Sequence, residues 1–175
     1  MKIHSNDPAA FQGIYDRTFH IIVKVAYHIT LDAEVAEDIC QEAFIRFYHR
    51  TVPFPSEDQA RYWLIRVAKN LSFNYYKRKK RERSALERYS FEPKPHQHNG
   101  EELLMRSETE QLVHRAVAQL PDSLRSVIVL KEYGNLSYRE IGKVLHIKEN
   151  NVKVRVHRAR NMLGTLLKEE EAHVL

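Results

Sequence analysis

The feature that most constrains the fold is a break in the apolar pattern between residues 84 and 106. The stretch "FEPKPHQHNGEE" within it has two prolines, a glycine and few apolar residues, a composition typical of a flexible linker. The break divides the 175-residue chain into predicted units of residues 1–83 and 107–175. Units of that size bury only a modest core, so each should be a simple fold.

On both sides of the break, apolar residues recur three and four positions apart, which is the spacing of one buried face of a helix. Short polar residues stand where such helices should begin. The predicted starts are Asp7 (followed by Pro8), Asp32, Ser56, Ser107 and Ser137, the last two in capping-box patterns with Glu110 and Glu140. No long alternating stretch demands a strand. We therefore predict an all-α fold of two small helical domains joined by a flexible linker.

The composition favours a protein that binds a polyanion and argues against a disulfide-stabilised or membrane-inserted protein. Basic residues outnumber acidic ones, 28 to 23, which suits a polyanionic partner. The lone cysteine, Cys40, excludes an intramolecular disulfide and is expected to be buried as a small hydrophobe. The first residues lack the apolar core of a secretory signal, and the longest apolar run is interrupted by Lys24. We expect a soluble, cytoplasmic protein with no direct membrane insertion.

No set of residues predicts catalysis. The sequence contains no glycine-rich phosphate loop, and no Ser/His/Asp or Cys/His arrangement stands out. His96 and His98 make at most half of a metal site, and they fall in the predicted linker. We therefore expect no enzyme activity, no cofactor and no metal.

Residues 135–163 have the pattern of a helix-turn-helix, two short helices joined by a tight turn with the second helix basic. Gly142 should allow the helices to approach, Gly134 should end the preceding helix as a left-handed C′ residue, and Asn150 is a candidate cap. At about 100° per residue, Val152, Val156, Ala159 and Leu163 face inward, whereas Asn150, Lys153, Val154, His157, Arg158 and Asn161 face outward. The outward set suits DNA base edges and phosphates, and the alternative is an ordinary basic surface helix.

A second basic segment, "NYYKRKKRER", ends the first predicted unit. Six of the seven residues from Lys77 to Arg83 are basic, which suits phosphate neutralisation. Rings of Trp63, Phe73, Tyr75 and Tyr76 are available to stack on unpaired bases or to pack in the core. The alternative is a solvated helix end, where cations complement the helix dipole.

The predicted second helix carries a different kind of surface. Asp38, Gln41, Glu42 and Ile45 fall on one face, away from the apolar stripe. An acidic face repels DNA, so within a basic chain it indicates a protein partner. A merely solvated face is the alternative.

Three ordered blocks resemble one family. "AEDICQEAFIRFY", "RYWLIRVAKNLSFNYYKRKKR" and "LPDSLRSVIVLKEYGNLSYREIGKVLHIKENNVKVRVHRARNML" are similar to segments of the extracytoplasmic-function (group IV) sigma factors of bacterial RNA polymerase, in the sigma-70 family. The resemblance implies a region 2-like domain over residues 1–83, a linker over 84–106 and a region 4-like domain over 107–175. It also implies promoter DNA, the β′ and β subunits of core polymerase and an anti-sigma factor as partners.

The resemblance further implies roles for matching residues. The face of Asp38, Gln41, Glu42 and Ile45 would contact the polymerase β′ subunit, and the loop "TVPFPSEDQ" would capture an unstacked base of the −10 element. DNA contacts on the −10 side would come from Trp63, Asn70, Asn74, Tyr75, Lys77, Arg78 and Lys80. Those on the −35 side would come from Asn150, Asn151, Lys153, Val154, His157 and Arg158.

Two rival interpretations stay open at this point. A stand-alone helix-turn-helix repressor or activator would bind duplex DNA without polymerase, usually as a dimer on a palindrome. It leaves the acidic face of the second helix and the basic end of the third helix unexplained. A nucleic-acid enzyme or metal-dependent protein lacks any convincing set of ligands or nucleophiles.

Overall fold

The computed structural model describes residues 2–89 and 107–174. Their regular structure is helical, apart from an isolated antiparallel bridge between Ile3 and Phe54. The helices are α1 (Pro8–Thr30), α2 (Ala33–Tyr48), α3 (Glu57–Tyr89), α4 (Glu108–Gln119), α5 (Asp122–Ile128), α6 (Tyr138–Leu145) and α7 (Glu149–Val174). A π-helical turn, Val129–Tyr133, continues α5. The all-α prediction is confirmed.

Most predicted helix starts are confirmed by their capping bonds. The carboxylates of Asp7 and Asp32 accept backbone N–H bonds from Ala10 and Val35. The Ser107 hydroxyl accepts from the Glu110 N–H, and the Ser56 hydroxyl from the N–H of Gln59. Ser137 and Glu140 form the complete capping box, each side chain bonded to the backbone of the other.

Three local predictions were wrong. Gly134 has φ −78° and is not a left-handed C′ residue; Asn135, with φ 52°, takes that conformation. A Cβ on Gly134 would lie 2.8 Å from the Leu130 carbonyl oxygen, so close packing inside the π-helical turn explains this glycine. Asn150 is not a cap, because α7 already begins at Glu149. α3 runs to Tyr89, so residues 84–89, which we expected in the linker, are helical.

The first three helices form one bundle. α1 packs along both α2 and α3, and its buried stripe includes Ile22, Val25 and Ile29. Phe47 of α2 and Leu64 of α3 are fully buried in the same core. Cys40 is buried as predicted, and burial together with the nearby Glu37 raises the pKa of its thiol to about 12. His96 and His98, the predicted half of a metal site, lie outside the described residues.

The second half is built around the helix-turn-helix of α6 and α7. Val152, Val156 and Ala159 of α7 are fully or almost fully buried, and they pack with Ile141 and Val144 of α6 in the same core. A Cβ on Gly142 would lie 2.8 Å from the Ile147 carbonyl oxygen, so the predicted close approach at this small residue is confirmed. The predicted inward face of α7 is confirmed.

The two halves pack against each other, and charged side chains take part in this contact together with a shared apolar core. Arg125 of α5 is 1% exposed; it donates to the Ile29 carbonyl at the end of α1 and lies over the rings of Phe73 and Tyr76, 4.2 Å from the Tyr76 centroid. Burial lowers the pKa of Arg125, and nearby Tyr76 and Asp122 oppose that shift. Within the described part of the chain, no carboxylate is bonded to this buried guanidinium. Its charge is therefore stabilised by the carbonyl and rings of the first half, so the contact depends on how closely the two halves fit.

Two arginines of α3 also take part in the contact between the halves. Arg66 donates to the carbonyls of Lys143 and Val144, which lie at the C-terminal end of α6 where backbone acceptors lack helical partners. Arg61 forms an ion pair with Glu140. On the other side of the bundle, the His28 ring of α1 stacks on the Tyr133 ring of the π-helical turn, with centroids 3.4 Å apart.

Candidate functional site

The structure has three candidate surfaces, and the first is the acidic face of α2. Asp38, Gln41 and Ile45 are exposed and Glu42 is half-buried, so the structure places the four predicted residues on one side of the helix. Ile45 keeps 53% of its surface exposed although it is apolar, and Tyr48 one turn further on keeps 51%. An apolar strip beside carboxylates suits a protein partner better than plain solvent.

The second surface is the solvent-facing side of α3. Asn70, Asn74 and Lys77 are exposed. They follow one another at intervals of four and three residues, so they lie on one face of the helix. They border a groove of about 490 Å³ between α3 and the second half, whose other walls include Asp122 and Arg155. Lys77 already forms an ion pair with Asp122, at 2.7 Å between Nζ and Oδ2.

Burial and neighbouring cations both act on Lys69, which lines this groove. Burial, and then the neighbouring Arg66, lowers the pKa of Lys69 at the groove; Lys77 acts in the same direction and Asp122 opposes it. Crowded cations of this kind repel one another, and a phosphate placed among them would relieve that repulsion.

The remaining residues predicted on the −10 side are distributed along α3. Tyr75 is half-buried; Lys79 donates to its hydroxyl at 3.1 Å, and the Arg78 guanidinium lies 5.7 Å from its ring centroid. Lys80 is exposed one turn later. Trp63 lies at the opposite end of the helix, where its ring packs against Phe47 and Phe54. Trp63 is therefore not grouped with the basic end of α3.

The third surface is the outer face of α7. The predicted contacts Asn150, Asn151, Lys153, Val154, His157 and Arg158 are all exposed, and Val154 keeps 47% of its surface exposed. Lys153 lies 3.4 Å from Glu149, and the Asn161 amide lies 3.2 Å from a His157 ring nitrogen. These residues share a face of one helix, opposite the buried Val152, Val156 and Ala159. The exposed face therefore carries amide and cationic groups, which are the donors that suit base edges and phosphates.

Sequence reasoning missed two groups of residues. Arg125 lies among the buried residues of α5 together with Ser126, Val127 and Ile128, and nothing in the sequence pattern marked it as buried. Ile3 and Ser5, which tether the loop between α2 and α3 through Phe54 and Arg50, gave no signal because they are distant from it in sequence and bond to its backbone atoms.

Two negative findings apply to the described part of the chain. Within residues 2–89 and 107–174, no helix is long and apolar enough to cross a membrane. The same residues bring together no group of three or more His, Cys, Asp or Glu side chains that could hold a metal ion.

Comparison with known proteins identifies the two halves. The family described as Sigma-70 region 2 matches residues 14–82, and the family described as Sigma-70, region 4 matches residues 110–163. The ECF RNA polymerase sigma factor SigW of Bacillus subtilis is 32% identical, over 96% of this chain and 94% of its own length. The ECF RNA polymerase sigma-E factor of Escherichia coli is 29% identical, over 93% of this chain and 88% of its own.

Solved structures share the fold. CnrH, determined in complex with the cytosolic domain of CnrY, superposes with a TM-score of 0.68 at 22% identity, over 95% of this chain and 92% of that one. The sigma factor RpoE of Bartonella quintana, determined with the anti-sigma factor NepR, gives a TM-score of 0.61 at 22% identity, over 90% and 96%. With both regions present in the order found in these relatives, the chain belongs to the extracytoplasmic-function sigma factors of the sigma-70 family.

Proposed function

We propose that this protein is a promoter-specificity subunit of RNA polymerase that binds the core enzyme and reads the −10 and −35 elements with separate halves. The observation that carries the proposal is the presence, in one chain, of the two matched sigma regions, each with its own exposed polar face on a long helix. A stand-alone regulator needs only the second of these halves, which disfavours it.

Core polymerase would bind the face of α2 formed by Asp38, Gln41, Glu42 and Ile45. Its support is the combination of exposed carboxylates with the exposed apolar side chain of Ile45. Such a face matches a basic partner surface that also has an apolar pocket.

The −10 element would bind along α3 and the loop before it. Asn70, Asn74 and Lys77 would follow the backbone of the melted strand, with Tyr75, Arg78 and Lys80 on the upstream duplex. Their support is the cation-rich groove and the basic end of α3. Trapped unpaired bases and polymerase contacts would supply the free energy of melting, so the chain itself needs no catalytic group and is not an enzyme.

The −35 element would bind the outer face of α7. Asn150, Asn151, Lys153, His157 and Arg158 offer donors to base edges and phosphates, and Val154 offers an apolar contact for a thymine methyl group. The helix enters the major groove in the manner of other helix-turn-helix proteins.

Binding both elements at once requires the two halves to separate. The elements are centred about 25 base pairs apart, which is about 85 Å of duplex at about 3.4 Å per pair. A compact chain of this length has a radius of gyration of only about 16 Å. The packed arrangement described above is therefore proposed as the form free of promoter, and core polymerase would stabilise the separated form.

We also propose an anti-sigma factor as a partner, since the sigma factor RpoE of Bartonella quintana was determined in complex with the anti-sigma factor NepR. The proposed site of action is the cytoplasm, where core polymerase and promoters are found.

Reconstitution tests the proposal directly. The purified protein is mixed with sigma-free core polymerase and a library of randomised promoters, and initiated transcripts are sequenced. We expect transcripts from templates that share two spaced elements. Absence of core binding and of transcripts, with protein that is folded by circular dichroism, would refute the proposal.

A triple substitution tests the polymerase face separately. Asp38→Ala, Gln41→Ala and Glu42→Ala together should lower core affinity by about tenfold or more, because they remove the charged part of the interface. Glu37→Ala is the matched control, since Glu37 is exposed on α2 but off that stripe. Equal core affinity of the triple variant and the control would show that α2 binds polymerase elsewhere or not at all.

A further inference from the structure

The loop between α2 and α3, residues 49–56, is held by a segment far away in sequence. Ile3 and Phe54 exchange two backbone hydrogen bonds, each 2.8 Å between nitrogen and oxygen. The Ser5 hydroxyl, in a side chain only 2% exposed, donates to the Arg50 carbonyl at 2.8 Å. Three hydrogen bonds therefore join residues 3–5 to the two sides of the loop.

The tethering segment is itself anchored in the bundle. The Ile3 side chain packs against the core, and the Asp7 N–H donates to the His4 carbonyl at 3.2 Å. Asp7 is the cap of α1, the helix with the most extensive packing in the first half. The segment thus transfers the rigidity of α1 to the loop.

Side chains within the loop add to this order. Phe54 is 4% exposed and packs on Phe47, with ring centroids 5.6 Å apart. The Arg50 guanidinium lies 4.7 Å from the Phe54 centroid, and its Nε donates to the Val52 carbonyl at 3.1 Å. Val52 at the tip keeps 59% of its side chain exposed although it is apolar. A braced loop with an exposed apolar tip has the form of a preformed binding element.

We propose that residues 3–5 are positioning residues that hold the loop at residues 49–56 in the shape that receives the unpaired −10 base. The inference rests on the proposed function, in which this loop captures that base. A loop ordered in advance loses less conformational entropy on binding, so the tether increases affinity for the captured base without touching it. The tether leaves the face of α2 and the outer face of α7 unchanged, because neither takes part in these bonds.

A pair of substitutions at one residue isolates the backbone bridge. Ile3→Pro removes the N–H that donates to the Phe54 carbonyl, whereas Ile3→Ala removes most of the side chain and keeps both bonds. Holoenzyme made with each protein is titrated with single-stranded −10 oligonucleotides taken from a promoter found in the library experiment. We expect about tenfold weaker binding for Ile3→Pro than for Ile3→Ala, and a smaller loss for Ser5→Ala.

An abasic scan separates positioning from general damage to the fold. One base at a time is removed along the −10 strand, and the ratio of parent to Ile3→Pro affinity is measured on each oligonucleotide. The ratio should fall to about one when the captured base is missing and stay near tenfold elsewhere. A ratio that is the same on every oligonucleotide, or no loss with Ile3→Pro, would overturn the inference.

Two controls identify which idea fails. Core affinity and binding of −35 duplex should be equal in the parent and all three variants; a parallel loss of both would mean that the segment supports the whole fold, which also overturns the inference. If the parent itself binds neither core polymerase nor −10 DNA, the proposed function fails instead.

Discussion

The two candidate DNA surfaces differ in what covers them. The outer face of α7 is open, with Asn150, Lys153 and Arg158 exposed and the adjacent helix behind it. The candidate −10 face of α3 borders the second half, where Lys77 is paired with Asp122 and Arg155 forms part of the groove wall. In the packed form the outer face of α7 is accessible, whereas the candidate −10 face is partly covered by the second half. Under the proposed function, domain packing should therefore affect the two promoter elements unequally.

The largest expected effect comes from removing the buried Arg125. Arg125→Ala leaves the Ile29 carbonyl without this donor and opens a void against Phe73 and Tyr76, which should weaken the packing of the halves by about 3 kcal/mol. Chemical labelling of lysine should become faster at Lys77 and stay unchanged at Lys153. Small-angle X-ray scattering should show a larger radius of gyration.

Arg115→Ala is the matched control for this change, since Arg115 is exposed on α4. Arg125→Met keeps most of the packing volume and should show an intermediate effect. Labelling of Lys77 at the parent rate in Arg125→Ala would contradict the view that the second half shields the −10 face.

The next largest effect concerns DNA binding by the outer face of α7. Arg158→Ala should weaken binding of −35 duplex by about 2 kcal/mol, because it removes a cation from the open face of α7. The same loss is expected in the Arg125→Ala background, measured by fluorescence anisotropy, since the halves need not separate for α7 to bind. Non-additive losses in the double variant would show that α7 is also masked.

Protonation of Glu140 at acid pH should weaken its ion pair with Arg61, and so reduce the free energy that stabilises the contact between α3 and α6 by about 1 kcal/mol. Burial by itself would raise the pKa of Glu140, but bonds from Ser137 and Arg61 outweigh it and lower that pKa below its usual 4.5. A carboxyl with a lowered folded-state pKa stabilises the fold above its unfolded pKa, and this stabilisation is lost as pH falls through the folded value. The melting temperatures of the parent and Glu140→Gln should therefore differ at neutral pH and converge once the pH falls below the lowered folded-state pKa of Glu140.

Glu132→Gln serves as the comparison variant for that experiment. The Glu132–Arg160 pair, 2.7 Å between oxygen and nitrogen, lies wholly within the second half and is exposed. Its loss should leave lysine labelling at the groove unchanged, whereas Glu140→Gln should increase it. Equal rates of lysine labelling in the two variants would show that Glu140 does not stabilise the contact between the halves.

The smallest effect concerns base preference at a single position. Val154→Ala should reduce discrimination for thymine by about 0.5–1 kcal/mol, because a shorter side chain makes less contact with the C5 methyl group. Competition between −35 duplexes that carry thymine or uracil at each position measures it. If methyl removal costs the parent and the variant the same at every position, Val154 does not read thymine.

Local pattern predicted the helices because each depended on neighbours in sequence. Asp7, Asp32 and Ser137 cap helices through bonds to residues three positions away, and the buried stripe of α7 follows from its spacing alone. The exposed face of α7 followed from the same spacing. The failed details at Gly134 and Asn150 have a related cause, since one residue more or less in a turn changes a cap without changing the apolar pattern.

The sequence by itself determined that the chain is helical, where most helices begin, which faces carry charge, and the family to which its motifs are similar. Only the tertiary structure decided that the halves pack together, that Arg125 is buried in that contact, and that Ile3 bridges Phe54. These contacts join residues about 50 to 100 positions apart, through backbone carbonyls and ring faces that every sequence offers. The spacing of apolar residues predicts which face of a helix is buried. The residues that pack against that face depend on how the helices assemble in space.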